Sequence, residues 1–201
     1  MWIVKIGGSW ITNPKLTSLI SRLEDKREGT IIVVAGGGCF ADSIRFAYKK
    51  TSMTEKLANI LALKSTEFFC YYLKEINANC HITPYINKIK KNCINIWLPS
   101  LILSNEKSFI NSWESTSDSV AAWVTMKKKA DGLIYIKSLR RFEKLNKLKN
   151  LQKKNIIDKN TSIYLKSYSG LIKIIGLNII EILNKQSNWK TFIKELSTIK
   201  L

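Results

Sequence analysis

The sequence predicts an α/β fold built on a mostly parallel β-sheet, and three observations lead to this class. Short apolar runs alternate with amphipathic helical patterns along the chain. The run TIIVVA at residues 30–35 is apolar at nearly every position, as expected for a parallel strand covered on both faces. Two apolar runs end directly in glycine loops. With 201 residues, the chain suits one domain, and we expect residues 1–201 to form it.

The first half of the chain gives two strands and three helices. Residues 2–6, WIVKI, predict the first strand, which the following glycines end. A helix is expected over residues 14–27, because its leucines and isoleucine recur on one face. The three glycines after the second strand precede a helix that ends near Lys50. A long helix is then expected from about residue 54 to residue 76.

The second half continues the alternation of strands and helices. Residues 117–130 predict a helix with Ser117 or Asp118 as its N-cap, since both residue types are favoured caps. Strands are predicted at 94–98, 132–137 and 171–175, a basic helical region at 139–168, and short helices after the last strand.

The net charge of +18 raises the question of a nucleic-acid partner. Residues 127–201 carry 18 Lys or Arg against 5 Asp or Glu, so the excess is concentrated there. No RNA-binding signature, zinc finger or basic-aromatic alternation accompanies it, and the abundance of Lys, Asn and Ile is typical of A/T-rich coding sequence. We therefore do not expect specific nucleic-acid binding. A basic half that faces a polyphosphate ligand remains an alternative.

The cysteines and the chain termini exclude several further classes. The four cysteines include no Cys-x-x-Cys pair and His81 is the single histidine, so neither a zinc site nor a disulfide framework is expected. No apolar run has the length of a membrane span, and the N-terminus lacks the pattern of a signal peptide. We expect a soluble, cytoplasmic protein without a dedicated metal site.

The glycines in KIGGS and AGGGC are candidates for phosphate binding. A flexible turn is the simpler alternative, but each added glycine costs backbone entropy. Glycine at a strand-to-helix junction lets backbone N–H groups approach an anion, and the helix N-terminus adds positive potential. Two such junctions indicate a ligand with several phosphate oxygens.

Two common phosphate motifs do not account for these loops. No glycine is followed by lysine, which excludes a Walker P-loop. Gly36, Gly38 and Ala41 match a dinucleotide fingerprint, but the acidic residue at the required distance, Glu55, falls in a predicted helix. This alternative also leaves KIGGS unexplained.

Lys5 lies inside the first apolar strand, two residues before the first glycine loop. A solvated edge lysine is the ordinary interpretation. At the carboxyl end of a central parallel strand, however, its ammonium would point into the ligand crevice. A lysine there can neutralise the oxygens of a transferring phosphoryl group.

Three segments in this order, KIGGS (5–9), AGGGCFADSIR (35–45) and STSDSVAAW (115–123), resemble the motifs of the amino acid kinase family. This family includes aspartate, glutamate, uridylate and isopentenyl phosphate kinases. Together with IYIKS (134–138), they are most similar to the branch that phosphorylates 5-(aminomethyl)-3-furanmethanol phosphate in methanofuran-type cofactor synthesis of one-carbon metabolism. The resemblance implies a three-layer αβα sandwich, with a shortened nucleotide lobe towards the C-terminus.

The resemblance also implies roles for individual residues. Lys5 would contact the transferring phosphoryl group, and Asp118 would orient Lys5 and Lys137 and could reach magnesium through water. A plain N-cap is the alternative for Asp118. Lys137 is the third catalytic candidate. Phosphate and nucleotide binding would fall to Gly7, Gly8, Ser9 and Ser138, and acceptor binding to Gly36, Gly37 and Gly38.

The implied activity is an ATP-dependent transfer of the γ-phosphoryl group, with Mg²⁺, to a small phosphate or carboxylate acceptor. The chain lacks the Gly-Gly-Met-x-x-Lys segment of many relatives, so either Lys137 or a C-terminal lysine such as Lys166 would replace that lysine. A non-catalytic member that binds nucleotide or an oxyanion is the alternative. Residues 53–69 are expected to line the acceptor side. The resemblance implies that their long helix pairs with its copy in a homodimer or higher homo-oligomer, and a helix buried within the chain is the alternative.

Overall fold

A computed structural model describes residues 1–139 and 146–201 of the chain. In these ranges, seven strands form one sheet. The strands are Trp2–Ile6 (β1), Ile31–Ala35 (β2), His81–Thr83 (β3), Ile94–Trp97 (β4), Gly132–Ile136 (β5), Leu171–Ile175 (β6) and Ser197–Thr198 (β7). Their order in the sheet is β3-β4-β2-β1-β5-β6-β7. All neighbouring strands pair in parallel except the last pair, β6 and β7.

The strand order determines where a ligand can bind. From β1 the chain first builds the β2–β4–β3 side of the sheet and then returns to build the β5–β6–β7 side. The order therefore reverses beside β1, and the loops that follow β1, β2 and β5 lie next to one another there. Crevices at the carboxyl ends of strands around such a reversal are the usual ligand sites of open α/β sheets.

Helices cover both faces of the sheet, which gives three layers. Side chains alternate along β1, so Val4 and Ile6 join the core beneath the helices at Leu16–Lys26, Ile179–Lys185 and Trp189–Glu195, whereas Ile3 joins the core beneath the helix at Ser117–Lys127. In the described ranges no helix has the length and apolar character needed to cross a bilayer. The helices are Leu16–Lys26 (α1), Gly38–Lys50 (α2), Glu55–Ile76 (α3), Ser100–Leu103 (α4), Ser117–Lys127 (α5), Leu148–Lys153 (α6), Thr161–Leu165 (α7), Ile179–Lys185 (α8) and Trp189–Glu195 (α9), with a 3-10 helix at Gly8–Thr12.

The α/β class and the three-layer sandwich are confirmed, and most long elements lie where the sequence predicts them. The prediction of a basic helical region at 139–168 is wrong, because two short helices, α6 and α7, are separated there by a loop. Residues 140–145 of this region lie outside the described residues. β3, β7 and α4 were not predicted. Each is four residues or shorter, which is too short for a periodic pattern to emerge.

Candidate functional site

The two glycine loops contact each other directly. A Cβ on Gly8 would lie 2.1 Å from the nitrogen of Gly38, and a Cβ on Gly36 would lie 2.4 Å from the nitrogen of Gly8. Gly38 also has φ +52°, a conformation that favours glycine. The side chains are therefore missing at these positions because the backbones of the two loops pack against each other.

The packing also determines which N–H groups remain free. Gly7 donates to the carbonyl of Ile136 at 2.9 Å, and Gly36 donates to the carbonyl of Ile6 at 2.8 Å. These two N–H groups are therefore engaged in backbone hydrogen bonds at the edge of the sheet and are not free to donate to a phosphate. Within residues 1–139 and 146–201, the N–H groups of Gly8, Ser9, Gly37 and Gly38 donate to no backbone carbonyl in a turn, loop or cap. Those of Gly37 and Gly38 lie at the N-terminus of α2, where a helix attracts anions.

Lys5, Asp118 and Lys137 form a compact charged cluster at the carboxyl ends of β1 and β5. Lys5 pairs with Tyr135 across the two strands, and Lys137 follows Tyr135 by two residues, so both lysines project from the α5 face. Asp118 comes from the first turn of α5. Its carboxylate lies 3.0 Å from Lys5 Nζ and 2.6 Å from Lys137 Nζ.

Burial makes the charges in this cluster interdependent. The side chains of Lys5 and Asp118 are each 5% exposed and that of Lys137 is 13% exposed. Burial raises the pKa of the Asp118 carboxyl, but the charges of Lys137 and Lys5 outweigh it and bring that pKa to about 2. Burial lowers the pKa of Lys137 to about 8, although Asp118 opposes this change. Asp118 is therefore a carboxylate at neutral pH, and Lys137 begins to lose its charge near pH 8.

Asp118 is not the N-cap of α5, because Thr116 occupies that position and its hydroxyl accepts from the N–H of Asp118. The sequence-based assignment of Ser117 or Asp118 as the cap is therefore wrong. The carboxylate of Asp158 completes the cap from another segment. It accepts six hydrogen bonds, from the N–H and hydroxyl groups of Thr116, Ser119 and Thr161. Asp158 thereby holds the helix that carries Asp118.

The charged cluster lies between two adjoining cavities. Lys5, Gly8, Ser9 and Lys137 line both of them. The larger, a cleft of about 500 Å³, also contains all three glycines of the second loop and Asp118. The smaller, of about 340 Å³, contains Gly7 and Ser138. The structure thus brings together every site residue that the sequence predicts, with the second loop on one side and Ser138 on the other.

Sequence reasoning missed several residues of these cavities. Arg45 and Trp113 line the cleft, and the guanidinium carbon of Arg45 lies 5.8 Å from the centre of the Trp113 ring. Lys159 also lines the cleft, and Lys154 lines the smaller cavity. Arg45 belongs to the motif AGGGCFADSIR and lies on α2, so the motif itself could have identified Arg45 as a residue of the site. The lysines come from the segment expected to be helical, where no signal identified them.

The described residues contain no group of three or more His, Cys, Asp or Glu placed to hold one ion. Both oxygens of Asp118 accept hydrogen bonds from Lys137, and both oxygens of Asp158 accept from α5 and α7. Neither carboxylate therefore has an oxygen free of protein donors, and a Mg²⁺ ion at this site would have to bring most of its oxygen ligands with it as waters or ligand oxygens.

Comparison with known proteins agrees with the resemblance in the sequence. The chain is 31% identical over 128 residues to [5-(aminomethyl)furan-3-yl]methyl phosphate kinase of Methanocaldococcus jannaschii. The match covers 62% of this chain and 59% of the relative, so it spans less than two thirds of the relative's length. No protein-family model matches the chain.

Solved structures share the fold at low sequence identity. Uridylate kinase from Archaeoglobus fulgidus is 14% identical with a TM-score of 0.62, over 92% of this chain and 96% of that chain. Carbamate kinase from Giardia lamblia bound to AMP-PNP is 11% identical with a TM-score of 0.53, over 91% and 94%. Aspartate kinase from Synechocystis is 10% identical with a TM-score of 0.61, over 87% of this chain and 37% of that chain. The amino acid kinase-like fold is confirmed.

Proposed function

We propose that the protein is a kinase that transfers the γ-phosphoryl group of ATP to a small phosphorylated acceptor. The observation that carries the proposal is the pair of ammonium groups, Lys5 and Lys137, held by one buried carboxylate between two adjoining cavities. Phosphoryl transfer needs positioning and charge neutralisation more than covalent chemistry. Two fixed positive charges between two ligands supply both.

In the proposed reaction, an oxygen of the acceptor phosphate attacks the γ-phosphorus while the bond from that phosphorus to the bridging oxygen breaks. ADP leaves, and the acceptor becomes a diphosphate. No general base is required, because a phosphate oxygen is already deprotonated. Mg²⁺ bound to ATP would neutralise phosphate charge, and the free N–H groups of the glycine loops would bind the oxygens that the lysines do not reach.

We propose Lys137 rather than Lys166 as the replacement for the lysine of the missing Gly-Gly-Met-x-x-Lys segment. Lys137 shares Asp118 with Lys5 and lines both cavities. Lys166 is not among the described residues that line either one. Lys5 and Lys137 would then approach the transferring group from two neighbouring strands.

We propose that ATP occupies the cavity with Ser9 and Ser138, and that the acceptor lies in the cleft beside Gly37 and Gly38. Arg45 supports the second assignment, since its planar guanidinium suits a phosphate monoester. The best candidate acceptor is [5-(aminomethyl)furan-3-yl]methyl phosphate, the substrate named for the archaeal relative. The same relative, a kinase, argues against the non-catalytic alternative.

The test is to mix the protein with Mg-ATP and this furan phosphate and to follow phosphorus NMR for a new diphosphate signal. We expect the signal in wild type, its loss in Lys5→Met, and its retention in Lys185→Ala, which removes an exposed lysine from α8. Lys5→Met keeps the aliphatic stem, so its thermal unfolding should stay cooperative. ATP binding without transfer to any acceptor of a phosphate and carboxylate panel would contradict the kinase proposal and support the non-catalytic alternative.

We also propose that the chain forms a homodimer through the outer face of α3. Three aromatic side chains project from this helix to solvent, Phe68 at 61%, Tyr71 at 58% and Tyr72 at 43% exposure. Aromatic residues exposed together are typical of a protein interface. Sedimentation velocity tests the dimer directly.

The single domain over residues 1–201 and the cytoplasmic location stay predictions from the sequence.

A further inference from the structure

A side cavity of about 50 Å³ adjoins the cleft at the start of α2. It shares no residue with the cavity that contains Ser138. It is therefore connected to the proposed acceptor position and not to the proposed nucleotide position. The residues common to the side cavity and the cleft are Gly37, Ala41, Arg45, Trp113, Thr116 and Ser117.

The walls of the side cavity combine apolar surface with one buried amide. Leu63, Phe109 and Val120 contribute apolar side chains that are each less than a tenth exposed. Asn59, from α3, is 5% exposed and lies among them. In the part of the chain that the structure describes, Arg45 is the single charged residue of this lining.

The orientation of the Asn59 amide follows from its partner. Its Nδ2 donates to the backbone carbonyl of Ser112 at 2.7 Å, and a carbonyl can only accept. The amide oxygen, Oδ1, is not among the fully enclosed polar atoms that lack a partner within residues 1–139 and 146–201, so it keeps contact with the adjoining space. A ligand that covers this oxygen without supplying a donor would remove its contact with water at a cost of about 1–3 kcal/mol, so a ligand that supplies the donor is favoured over one that does not.

We propose that the side cavity holds the organic body of the acceptor and that Asn59 Oδ1 accepts a hydrogen bond from an N–H or O–H group at its far end. This inference rests on the proposed kinase function and specifies its substrate class. The acceptor is a compact organic phosphate with an apolar middle and a terminal donor. A water molecule needs roughly 10–15 Å³ of such a cavity, so this one takes a small ring or a short stem but not the sugar and base of a nucleotide.

Calorimetric titration without ATP tests the proposal separately from catalysis. The probes are [5-(aminomethyl)furan-3-yl]methyl phosphate, its 5-hydroxymethyl and 5-ethyl analogues, and UMP. The ethyl group has the shape of the other two substituents but no donor. We expect at least one donor-bearing furan to bind about 10-fold or more tightly than the ethyl compound, because a site built for a hydrogen bond discriminates strongly against its loss.

Two variants of Asn59 and a matched control assign this difference to the amide oxygen. In Asn59→Leu the preference for a donor should disappear. In Asn59→Asp the added carboxylate should favour the aminomethyl compound over the hydroxymethyl compound. Asn184→Leu, at an exposed position of α8, should behave as wild type.

Equal binding of the ethyl and donor-bearing compounds to wild type, or tighter binding of UMP than of all three, would overturn the inference. The absence of binding by every probe would overturn it as well. If the donor preference is observed but no transfer from ATP occurs, the side-cavity assignment stands and the proposed kinase function fails. If transfer from ATP occurs but the donor preference is absent, the proposed kinase function stands and the side-cavity assignment fails.

Discussion

Replacing Asp118 by Asn removes the negative charge that lies between two buried ammonium groups while keeping the shape of the side chain. The carboxylate lies 3.0 Å from Lys5 Nζ and 2.6 Å from Lys137 Nζ. The variant therefore buries two like charges without a counter-charge. We expect both the stability of the protein and its transfer rate to fall, each in a way that depends on pH.

The size of the stability effect follows from the pKa of Asp118. That pKa is about 2 instead of 3.8, a difference worth about 2.5 kcal/mol. Removing one partner of a buried ion pair typically costs about 3–5 kcal/mol. Because the folded pKa lies below the unfolded one, this stabilisation is present above pH 3.8 and is lost as the pH falls towards 2. Asp118→Asn should lower the free energy of unfolding by roughly 2–5 kcal/mol near neutral pH and abolish this acid dependence.

The effect on the rate follows from the pKa of Lys137. In wild type, the rate should decline as the pH rises through about 8, because Lys137 loses its charge there. Asp118 raises this pKa, so its replacement should move the decline to lower pH. Loss of a preorganised charge of this kind typically costs about 10²–10³ in kcat. Lowering the pH should recover part of that loss in the variant.

The assay is the pH dependence of kcat for both proteins, together with urea unfolding to establish that Asp118→Asn is folded. A variant with the same alkaline limb as wild type would refute the electrostatic coupling of Lys137 to Asp118. A rate within threefold of wild type would refute the importance of the cluster for transfer. Either result would require a different catalytic arrangement.

Three further predictions concern the loops, the capping carboxylate and the dimer. Gly36→Ala should impair ATP binding in calorimetry, because the added methyl would lie 2.4 Å from the nitrogen of Gly8, and unchanged affinity would show that the loops can separate without consequence. Asp158→Ala should lower the free energy of unfolding in urea by at least about 3 kcal/mol, since six hydrogen bonds are lost, whereas the exposed Asp25→Ala should have little effect. Phe68→Glu should convert the dimer to a monomer in sedimentation velocity, and a wild-type monomer would contradict the proposed α3 interface.

The central strands could be predicted from the sequence because their patterns are unambiguous. β2 is apolar at every position, and β1 and β5 lead directly into polar or glycine-rich loops. β3 has only three residues, and its partly buried pattern does not differ from a loop. Residues 146–168 are rich in lysine, and this composition predicts one long helix. In the structure the segment instead forms two short helices, α6 and α7, joined by a loop. The loop around Asp158 is determined by hydrogen bonds to α5, more than 35 residues away in sequence.

The charged cluster was accessible from the sequence through the resemblance to the amino acid kinase family, which implied that Asp118 orients Lys5 and Lys137. In the structure these residues end or begin regular elements at the same edge of the sheet. The function of the glycines was only partly accessible. Periodicity within one segment cannot show that two loops distant in sequence pack backbone to backbone, as Gly8 does with Gly36 and Gly38. For the same reason, no local pattern indicated the side cavity beside Asn59.

Because the strand order reverses beside β1, different walls of the site come from parts of the chain before and after β5. The side cavity and the second glycine loop come from residues before β5, whereas Ser138 and Lys154 follow it. Changes that alter the proposed acceptor position can thus be confined to residues between β2 and β5, which leaves Lys5, Gly7, Gly8 and Ser9 of the proposed nucleotide cavity unchanged. In this architecture, a new substrate requires new walls around Asn59 but no new phosphate donor.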